Sequence, residues 1–203
     1  MKNTVIAGAA LGALAFAASD VVNTEMSVVA ETVSRFVNTD AGWLVTAGLL
    51  SIAAGSAALT WLVARSGVSR LGTWLLGLWS VGILLAAIFP ADPPGQWDNP
   101  SVSETVHGLA AWVALLSFVI ASVVLGRALP RDPLFTATTV VVVVGLVLFM
   151  VTLVDAMATR SLPAVLGVTE RIAIGADLLW MALCALRLSP VRQAVRPSAA
   201  AQR

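Results

Sequence analysis

Long apolar runs separated by short polar stretches set the pattern of this chain. A helix needs about 20 mostly apolar residues to cross a bilayer, and six runs reach that length, at about 4–22, 42–64, 71–89, 104–125, 135–158 and 171–188. The fold class that follows is an all-α integral membrane protein, a six-transmembrane-helix bundle. It forms one membrane domain over 1–189, and 190–203, rich in Ala, Arg, Pro and Gln, is expected to be a disordered tail. The first run, behind Met1–Lys2, also has the form of a signal peptide, with Ala15 and Ala17 placed as at a cleavage site; an uncleaved first helix is the favoured reading. Between the first two runs, Val28, Val29, Thr32, Val33 and Phe36 recur at helical spacing behind Ser27 as a cap. That spacing predicts a short amphipathic helix lying at the membrane interface, with an ordered cover over the bundle as the alternative.

Composition narrows the class. The chain is 59% hydrophobic and 11% charged, against about 25% charged residues in soluble domains. A chain so poor in charge cannot cover itself with a water-compatible surface. Its net charge of +1 and the lack of any Lys/Arg run give no nucleic-acid or polybasic lipid patch. The lone Cys184 excludes a disulfide framework and a cysteine-based metal site. The single lysine, Lys2, lies outside every run, which excludes a retinal Schiff base on a membrane-embedded lysine, and the single histidine excludes a bis-histidine haem.

Charge also orients the bundle. With six spans, Lys2, Arg65, Arg70, Arg127, Arg131, Arg187, Arg192, Arg196 and Arg203 fall on one side and only Arg35, Arg160 and Arg171 on the other. The positive-inside rule then puts both termini in the cytoplasm of a multi-pass plasma-membrane protein. Most acids fall on the opposite, outer side, among them Asp20, Glu25, Glu31, Asp40, Asp92, Asp98, Glu104, Asp155 and Glu170.

One stretch stands apart chemically. FPADPPGQWDNPSVSETVHG, residues 89–108, holds four prolines, three acids and the only histidine between two apolar runs. Ser103, Glu104 and His107 lie three and four apart and share a helix face. Asp92 sits just upstream in a proline-stiffened loop. A histidine beside carboxylates can donate or accept protons near neutral pH. The structural alternative is capping: Ser101 or Ser103 caps the helix, Glu104 complements its positive end, and His107 bonds a neighbouring loop. Asp155 and Asp177 lie within the fifth and sixth runs, Asp177 about 9 Å below Arg171 at 1.5 Å per residue. An ionisable group at that depth should point inward and is a functional candidate by default. The alternative is an internal ion pair, with Arg171 or Arg160 as the available partners, or a protonated acid bonded to a backbone carbonyl. A metal held by His107 and carboxylates is weakly supported by a chain with one histidine, and no cofactor is expected. Small residues four apart, Gly8 with Gly12 and Ser51 with Gly55, mark close helix contacts, within one chain before any homo-oligomer.

Several of these segments resemble a bacterial six-span family, domain-of-unknown-function family 998. They are Arg70-Leu71-Gly72, AAIFPADPPG over Ala86–Gly95, His107-Gly108, and Glu170-Arg171-Ile172 followed by Trp180. The resemblance implies six helices and an extracytoplasmic polar loop, assigns no activity, and singles out Pro90, Asp92, His107, Glu170 and Arg171.

The expectation is an outward-facing acidic pocket between helices three to six. His107, Asp92 and Asp177 are the candidate catalytic residues, and Glu104, Asp155, Glu170, Arg171 and Ser103 the candidate pocket residues. Three activities fit it: binding of a membrane lipid or other hydrophobic small molecule; carboxylate/His acid–base chemistry on a lipid or isoprenoid; and proton-coupled transport. A structural assembly role would leave the acids as internal ion pairs. Whether Asp177 opens onto the same cavity as His107 discriminates the first two.

Overall fold

The computed structural model describes residues 1–95 and 99–194, with side chains through Leu188. The described residues form six α-helices and one 3₁₀ helix, with no strand among them. The α-helices are α1 (Lys2–Val22), α2 (Trp43–Ser66), α3 (Arg70–Ile88), α4 (Val102–Ala128), α5 (Pro133–Ala158) and α6 (Leu166–Ala194). Helices α1 to α5 are long and apolar enough to cross a membrane. The sixth is longer, at 29 residues, but carries Glu170, Arg171, Asp177 and Arg187 and does not rank with them. Large apolar side chains such as Leu14, Trp74, Val81, Val144 and Val151 are exposed around the bundle, as expected of a multi-pass helical membrane protein.

Local signals set the helix ends. Ser69, Ser101 and Asp132 cap α3, α4 and α5 by accepting from the N–H groups of Gly72, Glu104 and Phe135, each at 3.0 Å. Gly67, in the left-handed region at φ 70°, ends α2. Arg187 pairs with Asp132 at 2.5 Å, tying α6 to the α4–α5 turn. The bond from the Phe135 N–H, followed by Arg187, holds the Asp132 carboxyl below its usual pKa.

The helices follow one another around a ring in chain order, and α6 returns to α1 and also touches α2. The contact between α4 and α5 is far less extensive than those of α1 with α2 and α3 with α4. Gly8 lies so close to α2 that a Cβ there would stand 2.6 Å from Ser51 O and 2.7 Å from Gly55 Cα. Close packing within the chain is therefore the use made of these small residues.

Two expectations are corrected here. The segment between α1 and α2 is not an amphipathic helix at the interface. It is a cover, containing the 3₁₀ helix Val33–Asn38, with Val33, Arg35 and Phe36 all buried. Arg35 and Phe36, one polar and one apolar, are both turned inward, while Glu25, Val29 and Asp40 are exposed, so the segment has no apolar face set apart from a polar one. Ser27 caps only a local turn, accepting from Ala30 N at 3.2 Å. The second correction concerns α6. It begins at Leu166, where the N–H of Gly167 bonds Val29 O of the cover at 2.9 Å, and it runs to Ala194, into the stretch expected to be disordered. The rest of that stretch, 195–203, and Asp98 of the proline-rich loop lie outside the described residues.

Candidate functional site

The cover and the proline-rich loop meet over one end of the bundle. Arg35, 3% exposed, lies at the junction. Its Nη2 donates to Glu104 Oε1 at 2.8 Å and its Nη1 to Glu104 Oε2 at 3.3 Å and to the carbonyl of Asp92. Glu104 Oε2 also accepts from the Asp92 N–H at 2.7 Å. The cover is fixed to α6 as well, where Glu170 Oε2 accepts from the N–H of Val33. Beside it, Arg171 forms a bidentate pair with Asp20 of α1, at 2.6 and 2.9 Å, and lies over the Phe36 ring.

Beneath this junction is a buried cavity of about 80 Å³, walled by all six helices and the cover. Most of its lining is apolar, from Phe16, Leu49, Ile83 and Phe149 among others; Ser34, Trp79, His107, Glu170 and Asp177 are its polar-bearing members. It adjoins a groove of about 280 Å³ that shares Ser34, His107, Ala111, Leu115, Phe149 and Glu170 with it. The groove lies between the first half of α4 and the second half of α5, with Trp112, Met150, Leu153 and Met157 along its flanks. Trp112 and Met157 are exposed on the apolar outside of the bundle, so the groove opens sideways. Next to their connecting turn the same two helices stay close, and a Cβ on Gly126 would touch Thr139. They diverge toward the covered end.

His107 uses Nδ1 to donate to the carbonyls of Ala86, at 3.0 Å, and Phe89, at 2.9 Å. Two carbonyl partners require the proton on Nδ1, and Nε2 has no partner among the described residues. No His–carboxylate pair is formed. Asp177, 3% exposed, accepts no hydrogen bond from any described residue, and the buried Nε1–H of Trp79 likewise has no partner. Among the described residues no three His, Cys, Asp or Glu side chains gather as a metal-ligand set.

The predicted site residues therefore separate. His107, Glu104, Glu170 and Asp177 line the continuous cavity and groove, and Asp177 does share a cavity with His107. The other four do not join them. Asp92 turns to Ser101, accepting its N–H at 2.7 Å; hydrogen bonding from Ser101, hydroxyl and N–H, holds the Asp92 carboxyl below its usual pKa. Ser103 donates to Pro90 O at 2.7 Å. Asp155 locks the end of α5, accepting from the Thr159 and Ser161 hydroxyls and from the N–H groups of Ser161 and Leu162. Those donors follow it within one loop, so its charge is satisfied locally and never reaches the cavity. Arg171, with Asp20, lines an adjoining recess between α1 and α6 that shares Phe16, Val33, Ile174 and Leu178 with the cavity; it pairs with Asp20 and not with Asp177. Sequence reasoning missed Arg35 and Trp79. A lone cation in an acidic segment was the available signal for Arg35, and an indole in the middle of an apolar run the signal for Trp79.

The profile of the family described as "Protein of unknown function (DUF998)" matches residues 6–187. The chain belongs to that family. No curated protein and no solved structure matches it.

Proposed function

We propose that this member of the family is a six-span plasma-membrane protein, with both termini in the cytoplasm and the covered end outside, that binds a lipid or other amphiphile from the bilayer. The observation that carries this reading is the sideways groove between α4 and α5, continuous in its lining with the buried cavity. Such a groove admits an apolar chain without exposing it to water, while Glu104, Glu170 and His107 at the upper wall meet polar groups. Ala111 lines both spaces and is the point at which to close them. The test is native mass spectrometry of the protein purified in a mild detergent. Wild type should retain an amphiphile and Ala111→Trp should lose it while unfolding at a similar temperature. Equal retention by both proteins would overturn the reading.

A second reading has one specific support. Asp177 and His107 face one cavity, as acid–base chemistry on a lipid or isoprenoid substrate would need. The bond of His107 Nδ1 to two carbonyls leaves only Nε2 for such a step.

A further inference from the structure

The deep cavity has an unbalanced set of polar groups. Its carboxylates come from Asp177 and Glu170, and among the described residues no Lys or Arg lines it. The nearby cations are engaged elsewhere, Arg35 with Glu104 and Arg171 with Asp20. Asp177 lies about 16 Å along α6 from Leu166 at the standard rise. A carboxylate in so apolar a place is costly unless something supplies positive charge or hydrogen-bond donors.

Counting donors and acceptors sharpens this. The acids Asp177 and Glu170 line the cavity beside His107; Asp177 accepts no hydrogen bond from a described residue, Glu170 Oε2 takes the Val33 N–H, and the hydroxyl of Ser34, also in the lining, is paired with that of Thr32. Against them stands one unpartnered donor, Trp79 Nε1–H. An anionic group would be repelled by both carboxylates. A hydroxyl would donate once and bring no charge. An ammonium group donates up to three times and supplies the countercharge. The aromatic residues Phe16, Trp79 and Phe149 line the same cavity, and aromatic faces attract cations.

We propose that the amphiphile bound here is a hydrophobic amine, its ammonium group held at Asp177 and its apolar chain leaving through the α4–α5 groove. This rests on the binding reading above and names the ligand's class. The carboxylate of Asp177 is the countercharge, Glu170 and His107 take further N–H bonds, and the flanks at Trp112, Leu153 and Met157 pass the chain to the bilayer.

The test uses the full chain, purified in one detergent, with octylamine, octanol and octanoate as probes of equal length, read by calorimetric titration. Wild type should bind octylamine about ten-fold or more tighter than octanol, equivalent to about 1.4 kcal/mol, and octanoate more weakly than either. Asp177→Asn keeps the shape and removes the charge; it should erase the preference for octylamine over octanol. Equal binding of octylamine and octanol by wild type overturns the proposal, as does an amine preference that persists in Asp177→Asn. Should that variant fail to fold, Ala111→Trp keeps the carboxylate and closes the passage, and octylamine binding unchanged by it overturns the proposal. Loss of the co-purifying amphiphile in Ala111→Trp, together with no amine preference in wild type, would overturn the amine assignment and leave the binding reading standing.

Discussion

Two seams of this bundle are built on opposite principles. Between α1 and α2 the backbones nearly touch, because Gly8 faces Gly55 and the carbonyl of Ser51. Between α4 and α5 the helices part toward the covered end, and a Cβ added to Gly108 would meet nothing within 4 Å. One seam is held by packing that tolerates no added atom. Over the open end of the other, the cover and the proline-rich loop are joined to α4 by polar contacts centred on Arg35 and Glu104. Dispersion falls off steeply with a small gap, so a glycine seam has one tight geometry. Bonds through a side chain and a loop leave room beneath them, and there the groove and cavity lie.

The largest effect should come from breaking the polar side. Arg35→Met removes the cation from a pair whose side chains are 4% and 18% exposed and leaves Glu104 without its countercharge. Breaking a buried pair in this way costs about 3–5 kcal/mol. Unfolding of wild type and variant in the same detergent measures it. The double variant Arg35→Met/Glu104→Gln should recover part of the loss, since it leaves no unpaired charge. A single variant as stable as wild type would show that the cover is held by its apolar residues, Val33 and Phe36, instead.

A matched pair of substitutions tests the seams directly. Gly8→Ala adds a methyl where there is no space and should destabilise by about 1–3 kcal/mol, the usual cost of overpacking. Gly108→Ala adds the same methyl to open space within a helix and should stabilise by up to about 1 kcal/mol from helix propensity. Opposite signs from one substitution, read as shifts in unfolding midpoint, would establish the contrast; the same sign at both positions would remove it.

How much of this was legible in the sequence follows from where each determinant resides. Helix runs are a matter of composition and length, so all six could be read from the chain, with ends displaced by a few residues. Asp177 was legible for the same reason: an acid deep in an apolar run has to face inward. The cover was not, because hydrophobic spacing cannot distinguish a helix lying on a membrane from a segment buried over a bundle. That distinction depends on Arg35 finding Glu104 some seventy positions away. Asp155 misled because its depth was judged without its loop, although Thr159 and Ser161 were close enough in sequence to satisfy it. The divergence of α4 and α5 is a property of two helices together and left no local trace.

The smallest effect concerns the loop that completes the open side. The Asp92 carboxyl is held below its usual pKa by Ser101, whose hydroxyl also caps α4. Because the folded state lowers this pKa, it binds its proton less readily than the unfolded chain does. The resulting stability is present above the ordinary carboxylate value of about 3.9 and is lost as pH falls through the lowered, folded value. Asp92→Asn removes that dependence. Between about pH 5 and 2 the wild type should therefore lose slightly more stability than Asp92→Asn, with the two curves parallel above about pH 5. Since Asp92 is solvent-accessible and its bond to Ser101 bridges only the loop, the difference should be small beside that of Arg35→Met. An acid limb unchanged by Asp92→Asn would place the hold on the loop in the prolines and in the Asp92 N–H bond to Glu104, and the α4 cap would then stand independently of the carboxylate.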